Sequence, residues 1–435
     1  MIIAKRLKGK AIAAWLGPSG DAARRAVTNL RHQLTKQPRR LELYYDITDP
    51  WSYLAAQAAS RLAEAYPVEV DVTLVSKPAS DVDPAPDMRA RHGVRDAQLL
   101  AEYWDLEFPG KKEPDPTALR EVGAALVRQR PTRDQLRAIL ELSHAMWTGD
   151  RKALQKLLGA WGTEATGSVA PMLNANYAEL RKTGHYQGGM LHYGGEWYWG
   201  IDRLPYLEQQ LAKDAGRDIA HVVTPRPDTD RGPLALSTKP LTCEMWFSFR
   251  SPYSYLALEQ IEAVLAPYQV PLVLRPVMPM VTRGMQMPTI KRLYIVRDAK
   301  READRQGIEF GELCELSPKG VENCIAVAHW ANARGKLIAF ARSAMRGVWA
   351  EARDLAEYVD LRHVVERADL PWDEAKQALG NPEAIKWAQS NAADLAVIGL
   401  WGVPSFRCGD FVAWGQDRMP LLADRLRRHR LANPS

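Results

Sequence analysis

The sequence has little cysteine and no long apolar run, and each absence argues against a class of protein. Four of its 435 residues are cysteines, and they form neither a Cys-x-x-Cys pair nor the spacing of a zinc site. We therefore expect buried, inert thiols in a reducing compartment. No stretch approaches the roughly eighteen apolar residues of a membrane-spanning helix, and the N-terminus lacks a signal-peptide pattern. A cytoplasmic protein without a membrane span is expected.

Blocks of like charge are also missing. The net charge of +6 comes from 58 basic and 52 acidic residues, and the surplus is spread along the chain. That balance suits an anionic small-molecule substrate and does not indicate nucleic acid as a partner. Residues 1–40 are basic and mildly amphipathic, as in an interfacial helix or a solvated extension, and we favour the extension.

The chain does contain an internal repeat. Leu43–Ala55 aligns with Met245–Ala257 at an offset of 202 residues, and the same offset relates further motifs as far as Trp349. Later, Trp199–Arg203 aligns with Trp414–Arg418 at an offset of 215, so the second copy carries 13 additional residues.

The repeat predicts four segments. They are a basic N-terminal extension at 1–40, a first repeat at 41–212, a proline-containing linker at 213–240 and a second repeat at 241–430.

Each repeat has the same order of local patterns. An apolar strand runs into Asp-Pro or Ser-Pro, where the polar residue can cap a helix and proline can occupy its first turn. A second strand, a mostly helical middle, a glycine-containing hairpin and a final helix follow. This order predicts an α/β protein: a thioredoxin-like fold with an inserted helical domain, present as two copies in tandem.

The second repeat resembles the kappa-class glutathione transferases and 2-hydroxychromene-2-carboxylate isomerases, a DsbA-like branch of the thioredoxin folds. Three motifs carry the resemblance: Phe249–Leu256, Gly402–Ser405 and Trp414–Arg418. The resemblance covers 241–430 and, more weakly, 41–212. It implies glutathione as the cofactor and a small unsaturated molecule as the substrate.

The first motif places hydroxyl groups where disulfide oxidoreductases of this fold have Cys-x-x-Cys, because Ser251 and Ser254 occupy both positions. The resemblance implies that glutathione supplies the thiol. Ser251, at a helix N-terminus, would then donate a hydrogen bond to the thiolate. The alternative is that Ser251 only caps the helix.

The resemblance also implies how glutathione is held. Pro404 would follow a cis peptide bond, so that the backbone of Val403 pairs with the cysteinyl backbone of glutathione; the alternative is an ordinary tight turn. Asp417 would bind the γ-glutamyl ammonium group and Gln416 its carboxylate, although Asp417 also suits a helix cap. Lys291 would bind the glycine carboxylate, or else belong to a solvated helix face.

Arg418, next to Asp417, is expected to brace the loop. The first repeat departs from the pattern at two positions: Asp49 replaces Ser251 and Gly189 replaces Pro404. A carboxylate beside a thiolate would raise the pKa of the thiol, so we expect Asp49 to be a structural cap and the first repeat to be catalytically silent.

The first repeat is then expected to pack against the second, in place of the second subunit of a homodimer. The chain would be a monomer with pseudo-dimeric halves or a homo-oligomer. The implied activity is glutathione-dependent cis–trans isomerisation of an unsaturated, aromatic-derived acid, or transfer of glutathione to an electrophile. A non-catalytic binding or scaffold protein is the alternative. A disulfide oxidoreductase would need a thiol pair that neither repeat supplies at the motif.

Overall fold

The computed structural model describes residues 40–226, 231–237 and 239–433, together with Ala14. The predicted basic extension therefore lies almost entirely outside the described residues. The chain divides into two compact units between Arg231 and Gly232, called here the N-terminal and C-terminal units. Among the described residues, no helix combines the length and apolar character needed to cross a membrane.

The N-terminal unit contains one four-stranded sheet of order β2-β1-β3-β4, in which β1 and β2 are parallel and the other pairs are antiparallel. Its strands are β1 (Arg40–Asp46), β2 (Glu69–Val75), β3 (Met190–Tyr193) and β4 (Glu196–Trp199). Its helices are α1 (Pro50–Ala65), α2 (Pro86–Trp104), α3 (Pro116–Leu126), α4 (Thr132–Thr148), α5 (Arg151–Trp161), α6 (Val169–Thr183) and α7 (Leu204–Ala215).

The C-terminal unit repeats this topology with a sheet of order β6-β5-β7-β8. Its strands are β5 (Cys243–Phe247), β6 (Leu272–Pro276), β7 (Ser405–Cys408) and β8 (Phe411–Trp414). Its helices are α8 (Pro252–Leu265), α9 (Thr289–Gln306), α10 (Pro318–Asn332), α11 (Leu337–Trp349), α12 (Tyr358–Arg367), α13 (Trp372–Gln377), α14 (Pro382–Val397) and α15 (Met419–Ala432).

The junction between the first strand and the first helix is built in the same way in both units. The side chains of Asp49 and Ser251 accept hydrogen bonds from the third residue of the following helix, and proline occupies the first turn. The predicted caps are therefore confirmed. The first strand of the C-terminal unit ends at Phe247, earlier than its apolar run predicts, because the N–H of Ser251 donates to Ser248 O (2.9 Å) and turns the chain.

The units also repeat individual side-chain contacts. Trp51 Nε1 donates to Oδ2 of the buried Asp96 at 2.7 Å, and Tyr253 Oη donates to the buried Asp298 at the same distance. These residues are related by the offset of 202, as are the members of a Phe–Trp ring contact in each unit (Phe108–Trp147, centroids 5.0 Å apart, and Phe310–Trp349, 5.8 Å). The predicted fold class, two thioredoxin-like units with inserted helices, is confirmed.

Along the chain, the inserted helices lie between the second and the third strand of each unit. In the N-terminal unit α2 to α6 fill this interval, and in the C-terminal unit α9 to α14 do so. After the equivalent tryptophans Trp147 and Trp349, the C-terminal unit has three helices where the N-terminal unit has two. The 13 additional residues therefore accompany one additional helix within this fully described stretch.

Candidate functional site

The N-terminus of α8 and the loop before β7 meet at Ser251. Its Oγ accepts a hydrogen bond from the N–H of Ser254 (3.1 Å) and donates to the carbonyl oxygen of Val403 (3.4 Å). Ser251 is partly exposed. Two of the three motifs, separated by about 150 residues of sequence, are therefore joined by one hydrogen bond.

The loop before β7 contains the expected cis peptide bond. The bond between Val403 and Pro404 is cis, as the resemblance implied. Pro404 O accepts a hydrogen bond from the N–H of Gly415 (2.8 Å), which links this loop to the third motif. Val403 is partly exposed, and its N–H donates to no atom of the described residues. An available backbone donor thus lies beside the Ser251 hydroxyl.

The third motif begins with a buried glutamine. Gln416 donates through Nε2 to Glu302 Oε2 (3.1 Å) and to Asp417 Oδ1, and its Oε1 accepts from Gln306 Nε2 (3.0 Å). Both N–H groups of its amide are therefore used within the protein. This differs from the predicted contact with a ligand carboxylate, and it makes Gln416 a support that ties Asp417 to α9.

The other predicted site residues lie around this support. Asp417 is partly exposed in a 3-10 turn, residues 416–418, that packs on α8. The guanidinium group of Arg418 is buried, as suits a residue that braces the loop. Lys291, in the first turn of α9, is partly exposed and lies about two helical turns before Asp298, the partner of Tyr253. Hydrogen bonds join Ser251 to Val403 and join Pro404 to Gly415, which lies two residues before Asp417.

Two indole rings line the same loop. The ring centroids of Trp401 and Trp414 are 4.9 Å apart, and Gly402 lies against the Trp414 indole. A Cβ atom at Gly402 would be 2.5 Å from Trp414 Nε1, closer than van der Waals contact allows. The loop therefore requires glycine at this position.

Arg283 is a residue of this region that the sequence did not single out. Its Nη2 donates to Trp401 O (3.0 Å), and its buried Nε has no hydrogen-bond partner among the described residues. No described carboxylate forms an ion pair with it, and burial lowers the pKa of its guanidinium group. A single arginine in a loop has no spacing pattern, so only its contact with a residue 118 positions away identifies it.

In the N-terminal unit, the position equivalent to Ser251 is occupied by the carboxylate of Asp49. Asp49 is buried, its Oδ2 accepts from the N–H of Ser52 (2.9 Å) and from Ser52 Oγ (2.8 Å), and its Oδ1 accepts from Arg89 Nη2 (3.0 Å). The prediction that Asp49 is a structural cap is confirmed.

The loop before β3, which contains Gly188 and Gly189, packs tightly against β1. The N–H of Gly189 donates to Tyr44 O in β1 (2.9 Å), a bond that a proline could not form. Gly189 has a φ of +69°, and a Cβ atom at Gly188 would lie 2.5 Å from Asp46 Cβ. This loop lies directly against the strand and leaves no space for a side chain at Gly188.

The cysteines lie away from the Ser251 motif. All four are reduced and buried. Cys243 in β5 is directly opposite Cys408 in β7, and burial raises the pKa of the Cys324 thiol. Within the described parts of the chain, no group of three or more His, Cys, Asp or Glu residues is arranged to hold a metal ion.

Comparisons with known proteins give one family match and several solved structures that are similar to part of this chain. No curated protein matches this sequence. Among solved structures, a 2-hydroxychromene-2-carboxylate isomerase is 20% identical over 45% of this chain and 100% of its own (TM-score 0.39). A probable DsbA oxidoreductase from Streptomyces coelicolor is 19% identical over 45% of this chain and 92% of its own (TM-score 0.36). The cytosolic disulfide reductase DsbM from Pseudomonas aeruginosa is 16% identical over 44% of this chain and 96% of its own (TM-score 0.34). The family model of the DSBA-like thioredoxin domain matches residues 242–427, which lie within the C-terminal unit.

Proposed function

We propose that the C-terminal unit is a glutathione-dependent enzyme that isomerises an unsaturated, aromatic-derived substrate or transfers glutathione to it. One observation carries the proposal: the hydroxyl of Ser251, at a helix N-terminus, is hydrogen-bonded to Val403 O beside a cis peptide bond. A helix N-terminus favours an anion, and hydroxyl groups stand where a disulfide oxidoreductase would have its thiols.

The residues present suit glutathione. Bound glutathione would supply a thiolate that adds reversibly to a conjugated double bond, and elimination after rotation would complete an isomerisation. The single proton of the Ser251 hydroxyl now points to Val403 O over 3.4 Å, a long hydrogen bond. Turning that proton toward a thiolate would stabilise the negative charge. It would also leave Val403 O able to accept a peptide N–H, while the Val403 N–H donates to a peptide carbonyl.

The remaining residues would hold the two ends of glutathione. Asp417, kept in place by Gln416, offers a carboxylate for the γ-glutamyl ammonium group. Lys291 offers a cation for the glycine carboxylate. In the N-terminal unit the buried Asp49 and the bonded Gly189 occupy the corresponding positions, so this unit is proposed to be non-catalytic.

A binding or scaffold function without catalysis is the second candidate, because the N-terminal unit keeps the fold without this site. The backbone N–H of Val403, which donates to no atom of the described residues, favours a ligand-binding enzyme over the scaffold. A disulfide oxidoreductase is less favoured, because the described cysteines are all buried and none lies in the motif.

Calorimetric titration of glutathione tests the proposal. We expect one site per chain, and about 10-fold weaker binding or more for Asp417→Asn, because an ion-paired hydrogen bond is lost. Ser251→Ala should weaken glutathione binding only modestly but should raise the pKa of the bound thiol. This pKa is measured from the ultraviolet absorbance of the thiolate. Ser317→Ala is the matched control, since it removes a serine cap from α10, where Ser317 accepts from the N–H of Gly320 (3.2 Å).

Each outcome of this titration is informative. Absence of glutathione binding to the wild type would exclude the enzyme proposal. Two sites per chain would contradict the proposal for the N-terminal unit. If Ser317→Ala changed the thiol pKa as much as Ser251→Ala, the effect would belong to helix stability and not to the hydroxyl group.

A further inference from the structure

No carboxylate in the described parts of the chain balances the charge of Arg283. The guanidinium group is partly buried, one of its nitrogens donates to Trp401 O, and its Nε has no hydrogen-bond partner among the described residues. Removing a cation from water without a counter-charge is costly, and proteins retain such groups where a ligand completes the pair. The ligand chemistry that suits a guanidinium group is a carboxylate or phosphate oxygen pair.

Arg283 and Ser251 of the proposed reaction centre contact the same loop. Arg283 binds the carbonyl of Trp401, and Ser251 binds the carbonyl of Val403 in the same loop. These two carbonyl groups are two residues apart in the chain, which spans at most about 7 Å. An anion held by Arg283 could therefore belong to a small molecule whose other end lies at Ser251.

The loop that Arg283 contacts carries two tryptophans, of which Trp401 is buried and Trp414 is partly exposed. Trp401 and Trp414 are in ring contact, and the obligatory glycine at 402 brings the loop backbone against the Trp414 indole. Indole rings favour planar, unsaturated partners through offset or edge-to-face stacking. A phosphate group has no such plane, so a planar carboxylate fits both features better.

We propose that Arg283 and Trp414, which packs on the buried Trp401, form a subsite for the carboxylate of a planar, unsaturated aromatic acid. This inference rests on the proposed function for the role of its ligand as the substrate. The carboxylate pairs with the guanidinium group, and the conjugated system lies along the Trp414 indole toward Ser251. Arg283 thereby selects acids over neutral analogues of the same shape.

Cinnamate and cinnamamide test the subsite without glutathione, because they share a planar skeleton and differ in charge. In titrations followed by tryptophan fluorescence, the wild type should bind cinnamate about 10- to 100-fold more tightly than cinnamamide, as expected for a charge-assisted hydrogen-bonded pair. Arg283→Gln should remove this preference, and Arg283→Lys should keep part of it. Arg362→Gln is the control, because it removes an exposed arginine paired with Glu366 on α12.

Glutathione titrations of the same proteins separate this inference from the proposed function. Arg283→Gln should bind glutathione as the wild type does. If it loses affinity for glutathione as strongly as for cinnamate, Arg283 serves glutathione itself and the inference is overturned. A wild type that does not distinguish cinnamate from cinnamamide also overturns it. Arg283-dependent cinnamate binding without any glutathione binding would support the subsite and exclude the glutathione proposal.

Discussion

Replacing Asp46 with asparagine should stabilise the N-terminal unit at neutral pH. Asp46 lies at the end of β1 and is 1% exposed. Its Oδ1 accepts from the N–H and the hydroxyl of Thr48 (2.9 and 2.8 Å), whereas its buried Oδ2 has no hydrogen-bond partner in the described chain. Burial, and then the nearby charge of Asp49, raises the pKa of Asp46 to about 6 from an ordinary value of 3.8.

The direction and the size of the effect follow from proton linkage. Because the pKa is higher in the folded chain, the stability from this carboxyl is fully present below pH 3.8 and is lost as the pH rises through about 6. The difference between 3.8 and about 6 corresponds to roughly 3 kcal/mol. Asparagine keeps the Oδ1 acceptor for Thr48 and carries no charge. The C-terminal unit has the neutral Ser248 at the equivalent position, where its Oγ accepts from the N–H of Arg250.

Hydrogen exchange of peptides from β1, read by mass spectrometry at pH 5 and pH 8, would measure the N-terminal unit separately from the C-terminal unit. The stability gain of Asp46→Asn over wild type should grow between these pH values and approach about 3 kcal/mol at the higher one. Asp218→Asn, at an exposed loop position, is the control. A gain that does not change with pH, or a loss of stability at pH 8, would refute the reasoning.

Three further outcomes are expected. Gly402→Ala should weaken glutathione binding by about 10-fold, because the added Cβ atom would clash with Trp414 and shift the adjoining backbone of Val403. Gly159→Ala, at a helical glycine with open space around it, should leave glutathione binding unchanged, and equal effects of the two substitutions would contradict the packing argument. Tyr253→Phe should lower the free energy of unfolding by about 1–3 kcal/mol, measured in urea, because the buried Asp298 loses a donor. The four thiols should react with Ellman's reagent only on unfolding, since all are buried; rapid reaction of the native protein would contradict this.

Local chemistry explains why much of this fold can be predicted from sequence. A polar residue before proline caps a helix wherever it occurs, and both Asp49 and Ser251 do so. The two hairpins turn at Gly194-Gly195 and Gly409-Asp410 as their glycines predict, because these turns favour a positive φ.

The features that sequence reasoning missed depend on distant contacts. Arg283 becomes notable only because it meets Trp401 O, 118 residues away. Gln416 is of a residue type that often binds ligands, yet its side-chain amide is hydrogen-bonded to Glu302 and Gln306 of α9. A side chain whose partner lies more than one hundred residues away in the sequence has no local pattern, so its role can be found only in the folded chain.

The difference between the two units can be traced to one backbone N–H group. In the N-terminal unit Gly189 donates to Tyr44 O, and this bond holds the loop so close to β1 that Gly188 has no space for a side chain. Pro404 has no N–H and cannot form the equivalent bond. The loop of the C-terminal unit therefore accommodates the side chain of Val403, whose N–H stays available. Because Gly189 also has a φ of +69°, which proline cannot adopt, restoring proline there would require the whole loop to change conformation.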